Sequence, residues 1–239
     1  MAHSKLSSSQ ISSQASTAPR RADGLHHESL TVEFLAAVAS FAFPTLTTFA
    51  TSLLSNDPEK VLTYSLAITV ICQVMVVLGS PTALAATSGK IASGSKKKQQ
   101  PRRKVATTAF GLILTLLLSP AFHVLFILFG APVMFSAYLT YLLSVHTAML
   151  ALFPLLCTIP LDAENWLNIA AINAPLTPAY GAAMGTVFGA WLGALPIPLD
   201  WDRDWQAWPI TIVVGEYFGN GIGRLIGVYL SQRAKAKTV

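Results

Sequence analysis

The sequence predicts an all-α integral membrane protein of about six transmembrane helices, closed at its C-terminal end by a glycine-laddered helical hairpin. Three observations carry this. First, only 11% of the 239 residues are charged and 53% are hydrophobic, against about 25% charged in an ordinary soluble domain. Second, Gly181, Gly185, Gly189 and Gly193 recur every fourth residue, and Gly215, Gly219, Gly223 and Gly227 do the same. Third, the basic residues gather between apolar runs in a one-sided pattern.

Apolar run length, counted in spans of roughly 20 residues, gives six segments: about 34–54, 61–86, 105–129, 133–157, 177–197 and 210–230. Pro44 interrupts the first and Pro154 falls near the end of the fourth. Prolines are tolerated in spans when neighbours satisfy the freed carbonyls, so both predict kinks rather than breaks. Only Gly130, Ala131 and Pro132 separate the third span from the fourth, which forces the two to pair. The last two spans carry the ladders. Four-residue spacing puts each set on one helix face, and small residues there let two backbones approach in lipid.

Residues 1–29 are Ser-rich and lack the apolar run of about 7–15 residues that a cleavable secretory signal needs. Arg20 and Arg21 would suit a transit peptide, but the segment has little amphipathic pattern and reads as a disordered cytosolic tail. The first span then serves as signal anchor. Lys5, Arg20 and Arg21 precede that span. Lys90, Lys96, Lys97, Lys98, Arg102, Arg103 and Lys104 fill the loop 87–104 without an acid among them, and Arg233, Lys235 and Lys237 follow the last span in the tail 232–239. With six spans these thirteen of the sixteen basic residues share one side, and the positive-inside rule makes that side, with both termini, cytosolic. The basic loop reads as a solvated topology determinant or as a contact for anionic headgroups. Its position beside spans accounts for the net charge of +5 better than a nucleic-acid partner does. The segment 158–176 carries Asp162 and Glu164 and enough apolar residues for a short interfacial helix.

Candidate functional residues are few. Glu216, Asn220 and Arg224 stand four apart in the last span, on a stripe beside its ladder. Ionisable groups at such depth face protein or water, so the stripe is either a hydrogen-bonded packing seam or a polar groove contacting lipid headgroup or partner. Between the ladders, Asp200, Trp201, Asp202, Arg203, Trp205 and Trp208 form a rigid cap flanked by Pro196, Pro198 and Pro209, with indoles placed to anchor at headgroup level. The alternating aspartates lack the glycine and distal glutamate of a calcium loop. His123 and His146 are isolated, and Cys72 and Cys157 lie in apolar runs as small hydrophobes. The residues indicate no metal site, no cofactor and no catalytic constellation.

The run from Gly189 through Ala194-Leu195-Pro196-Ile197-Pro198-Leu199-Asp200-Trp201 to Trp208-Pro209 resembles the signature of the Pig-F family, and the span layout extends the likeness over about residues 30–230. The resemblance implies a non-catalytic, multi-pass subunit of the endoplasmic-reticulum membrane in glycosylphosphatidylinositol (GPI) anchor biosynthesis. Such a subunit binds and stabilises the large ethanolamine phosphate transferases, whose own lumenal domain is the catalytic one. An alternative of a different class is a subunit that binds and presents phosphatidylethanolamine or the GPI intermediate. Lys235 and Lys237, fifth and third from the end, resemble a dilysine retrieval signal.

Overall fold

The computed structural model describes residues 34–35, 38–39, 42, 44–46, 48, 57–80, 100–199 and 208–236, the side chains of 100–103 and 235–236 excepted. Every regular element among them is helical. Most of the expected first span lies outside the described residues. So do the tail 1–29, most of the basic loop, the cap residues Asp200, Trp201, Asp202, Arg203 and Trp205, and Lys237.

Four described helices are long and apolar enough to cross a membrane: Pro58–Gly79, Lys104–Leu128, Ala137–Thr158 and Pro178–Leu199. They correspond to the second to fifth expected spans. The sixth expected span is helical, but Glu216, Asn220 and Arg224 inside it keep it from being apolar enough to join these four.

Helix α1 (Pro58–Gly79) opens on Asp57, which accepts from the Glu59 amide, with proline at its first position; both are standard start devices. The Lys60 ammonium hydrogen-bonds the Asp57 carboxyl at 3.2 Å and holds it below the usual carboxylate range. The helix stops at Gly79, short of the expected 86. Lys104 donates to the Ser80 carbonyl at 3.3 Å, beside that C-terminus, where a cation is favoured.

Helix α2 (Gln100–Leu128) runs through Pro120. Proline cannot bond the carbonyl four residues back, here Leu116, and the Ser119 hydroxyl donates to that carbonyl at 2.9 Å instead. Helix α3 spans Ala137–Thr158 and contains a π turn, Ala148–Leu152. It begins at Ala137 rather than 133, because the turn after α2 occupies the residues between. Helix α3 is almost wholly buried while most of α2 is not, so α3 is the axis and α2 lies at the rim. Short α4 (Ala163–Ala170), capped by Asp162, stands in the segment expected to be interfacial. Trp166 and Ile169 on it pack against a cluster that includes Leu155 and Tyr180, and the Tyr180 hydroxyl donates to the Ile169 carbonyl at 3.0 Å.

Helices α5 (Pro178–Ala194) and α6 (Ile210–Ala236) pack antiparallel through backbone contact. A Cβ built on Gly185 would sit 2.8 Å from the Gly219 carbonyl carbon and 3.0 Å from the Gly223 Cα. One on Gly189 would meet the Gly215 carbonyl carbon at 2.8 Å, and one on Gly181 the Gly227 Cα at 3.3 Å. Gly193 faces the Ile212 Cα, and Gly227 the Pro178 Cα.

Candidate polar seam

Three of the predicted site residues come together inside the molecule. Glu216 and Asn220 are fully buried and Arg224 is 3% exposed. Thr147 on α3 donates to Glu216 Oε1. Asn220 Nδ2 donates to the Leu150 carbonyl and to Thr186 Oγ1, each at 3.0 Å. The stripe beside the α6 glycines therefore faces α3 and α5 of its own chain. The expectation that it offers Glu216, Asn220 and Arg224 to a partner or lipid meets this inward placement: the three side chains have almost no outer surface.

The π turn explains why Asn220 is needed. Pro154 has no N–H to give the Leu150 carbonyl four residues back and would clash with it. The helix widens by one residue, so the Phe153 N–H bonds Ala148, five back. The Leu150 carbonyl thereby loses its ordinary helical donor in an apolar interior, where an unsatisfied backbone group costs several kcal/mol. The Asn220 amide fills that role. Proline, π turn and asparagine act as one device joining α3 to α6.

A second line of polar contacts runs beside this one. His146 hydrogen-bonds Ser65 at 3.2 Å through Nε2 and the Leu142 carbonyl at 2.8 Å through Nδ1. Thr69 donates to the Tyr217 hydroxyl at 3.0 Å. The His146 and Tyr217 rings meet edge to face at 6.0 Å. Each hydroxyl or amide in such a place gains a partner it would otherwise lack, and pins one pair of helices in one rotation. Sequence reasoning singled out His146 but missed Ser65, Thr69, Thr147, Thr186 and Tyr217. Small hydroxyl residues are common in spans, and only the periodicity of Ser65, Thr69 and Gln73, one face of α1, hints at a buried polar edge.

Among the described residues no group of three or more His, Cys, Asp and Glu side chains could hold a metal ion. Both cysteines are free thiols, Cys157 wholly buried. His123 stands apart from His146, edge-on to Tyr141 at 6.0 Å. Trp208, the one described aromatic of the cap, donates through its indole N–H to Thr140 at 3.2 Å and so ties the start of α6 to α3.

A chain-wide match decides the family: residues 37–228 fit the GPI biosynthesis protein family Pig-F. The chain belongs to that family. Its relatives include "Glycosylphosphatidylinositol anchor biosynthesis protein 11" of Pyricularia oryzae, 47% identical over 133 residues, covering 54% of this chain and 50% of the relative. The protein of the same name from Yarrowia lipolytica is 37% identical over 184 residues, 74% of each chain. The human "GPI ethanolamine phosphate transferase, stabilizing subunit" is 39% identical over 110 residues, 44% of this chain and 50% of the human one. The chain spans about half the length of most of these relatives. No solved structure matches it. For this Pig-F family chain, the seam's chemistry is largely that of helix fastening: hydrogen bonds cross between α1, α3, α5 and α6, while one oxygen each of Glu216 and Asn220, the Thr211 hydroxyl and the Gln73 amide are buried without a hydrogen-bond partner.

Proposed function

We propose that this chain is a non-catalytic membrane subunit that binds and stabilises GPI ethanolamine phosphate transferases, supporting phosphoethanolamine addition to GPI mannoses. The observation that supports it most is the Pig-F match over 37–228, together with the name of the human relative, a stabilizing subunit of GPI ethanolamine phosphate transferase. A scaffold role suits a molecule whose buried polar side chains serve its own packing. In this reading the glycine contacts hold α5 and α6 as one rigid post, and the outer face of that post meets the transferase. Phe188 and Trp191 stack there at 6.0 Å and are 60% and 61% exposed, with Ile222 and Ile226 on the neighbouring helix also exposed.

Loss of the chain should lower transferase abundance. The pair Phe188→Ala and Trp191→Ala should cut co-purification by about tenfold or more, since an aromatic anchor at an interface is commonly worth 2 kcal/mol or above. Unchanged transferase level and unchanged recovery would sink the reading. The free oxygens of Glu216 and Asn220 favour a second one, in which the seam takes the ammonium of phosphatidylethanolamine or of the GPI intermediate. Lipid mass spectrometry on the same purified material separates the two, because a pure scaffold carries no enriched ethanolamine lipid.

We also propose residence in the endoplasmic-reticulum membrane with both termini cytosolic. Thirteen of sixteen basic residues on one side, counted over six spans, support the orientation. In sealed microsomes, tags at both termini should be digested by added protease. Protection of either tag refutes the topology.

A further inference from the structure

The turn between α2 and α3 carries the densest group of exposed large apolar side chains among the described residues. Phe129 is 82% exposed, Met134 86% and Phe135 99%, with Leu128 and Val133 beside them. From Val105 to Leu161 the chain contains no Asp, Glu, Lys or Arg. An ordinary connection between two spans reaches water and is polar; this one is neither charged nor covered. We propose that the α2–α3 turn is a membrane anchor, with Phe129, Met134 and Phe135 inserted at the boundary between headgroups and acyl chains of one leaflet instead of projecting into the aqueous space.

The backbone where α2 ends and the turn begins is closed in the way lipid requires. The Phe129 amide bonds the Leu125 carbonyl, Gly130 bonds Ile127 at 3.0 Å, and Ala131 bonds Phe126 at 2.9 Å. Gly130 has φ +97°, the left-handed position that this type of helix end reserves for glycine. Pro132 has no N–H to satisfy, and its carbonyl accepts from Thr140 at 3.2 Å. The end of α2 and the start of the turn thus present hydrocarbon with their hydrogen bonds already made.

The level of the turn agrees. Lys104–Leu128 is 25 residues, about 37 Å at 1.5 Å per residue, which exceeds the roughly 30 Å hydrocarbon core but stays within the 40–45 Å that includes both headgroup layers. With Lys104 at one surface, the Phe129 end therefore reaches the opposite headgroup layer without passing beyond it. Trp208, an indole type that favours headgroup depth, is hydrogen-bonded to Thr140 one turn into α3. A protein partner is the poorer occupant. Interface rims are polar, and Ser136 is the only hydrogen-bonding side chain between Leu128 and Ala137.

The test is nitroxide accessibility on the full chain in lipid nanodiscs. Phe135→Cys is labelled in a Cys72→Ala background, Cys157 being fully buried, and Glu164→Cys on exposed α4 serves as reference. Collisions with oxygen should exceed those with a charged nickel chelate at position 135, and nickel collisions there should be about tenfold fewer than at 164, since charge is excluded from the acyl region. Met134→Cys should repeat the result. Nickel access at 135 and 134 equal to that at 164 places the turn in water and overturns the proposal. Low access to both agents means protein covers the turn, and overturns it equally.

Discussion

Gly185→Ala should lower the melting temperature of the purified chain by roughly 6–12 °C, from a loss of about 3 kcal/mol. The new methyl would stand 2.8 Å from the Gly219 carbonyl carbon and 3.0 Å from the Gly223 Cα. Both are backbone atoms of a packed helix, so no rotamer change relieves the contact. The helices must part, and every glycine contact along them is weakened together. Gly219→Ala should cost a similar amount, since its Cβ would meet Gly185 and Gly189 in the same way. The double variant should fall well short of the sum, because a hairpin already parted has room for the second methyl. Gly79→Ala is the matched control: nothing lies within 4 Å of a Cβ there, and its melting should barely move. A Gly185→Ala protein that melts with the parent shows that the two helices are not held by this contact.

Asn220→Leu, which replaces the amide by a somewhat larger hydrocarbon side chain without a donor, should cost about 1–3 kcal/mol. It removes the donor to Thr186 and, more seriously, the donor to the Leu150 carbonyl. Hydrogen bonds between membrane helices average only about 0.6 kcal/mol when both partners can find others. Leu150 has no such choice, because Pro154 denies it the ordinary helical bond. Restoring a regular helix with Pro154→Ala should therefore recover part of the loss in the double variant. The two changes applied together would then cost less than Asn220→Leu alone, measured as detergent-induced or thermal unfolding. Strict additivity of the two would show that proline, π turn and asparagine are independent.

The sequence disclosed some of this and hid the rest for identifiable reasons. Glycines four apart lie on one helix face whatever that face meets, so the face was legible although its neighbour was not. Glu216, Asn220 and Arg224 were legible as a stripe for the same reason. Their direction was not, because a stripe next to a ladder can turn inward or outward with the same spacing; Thr147, Leu150 and Thr186 decided it. Pro154 announced a distortion, and its freed Leu150 carbonyl could have been named in advance. The widening into a π turn depends on α6 lying close enough to supply a donor, which is a tertiary fact. The early stop of α1 at Gly79, and the eight-residue α4 behind Asp162, follow local rules and were within reach of the sequence.

The repeat in both ladders has a side effect on register. Sliding α6 along α5 by one ladder step, about 6 Å, would bring most glycines against glycines again, so backbone contact alone leaves several alignments nearly equivalent. The Asn220–Thr186 and Glu216–Thr147 bonds exist in only one of them. The polar pairs thus work as an index pin on a ratchet of identical teeth: the teeth give grip and the pin selects the notch. Variants that remove the pins but keep the glycines should still form a tight hairpin, distributed over alignments offset by whole steps.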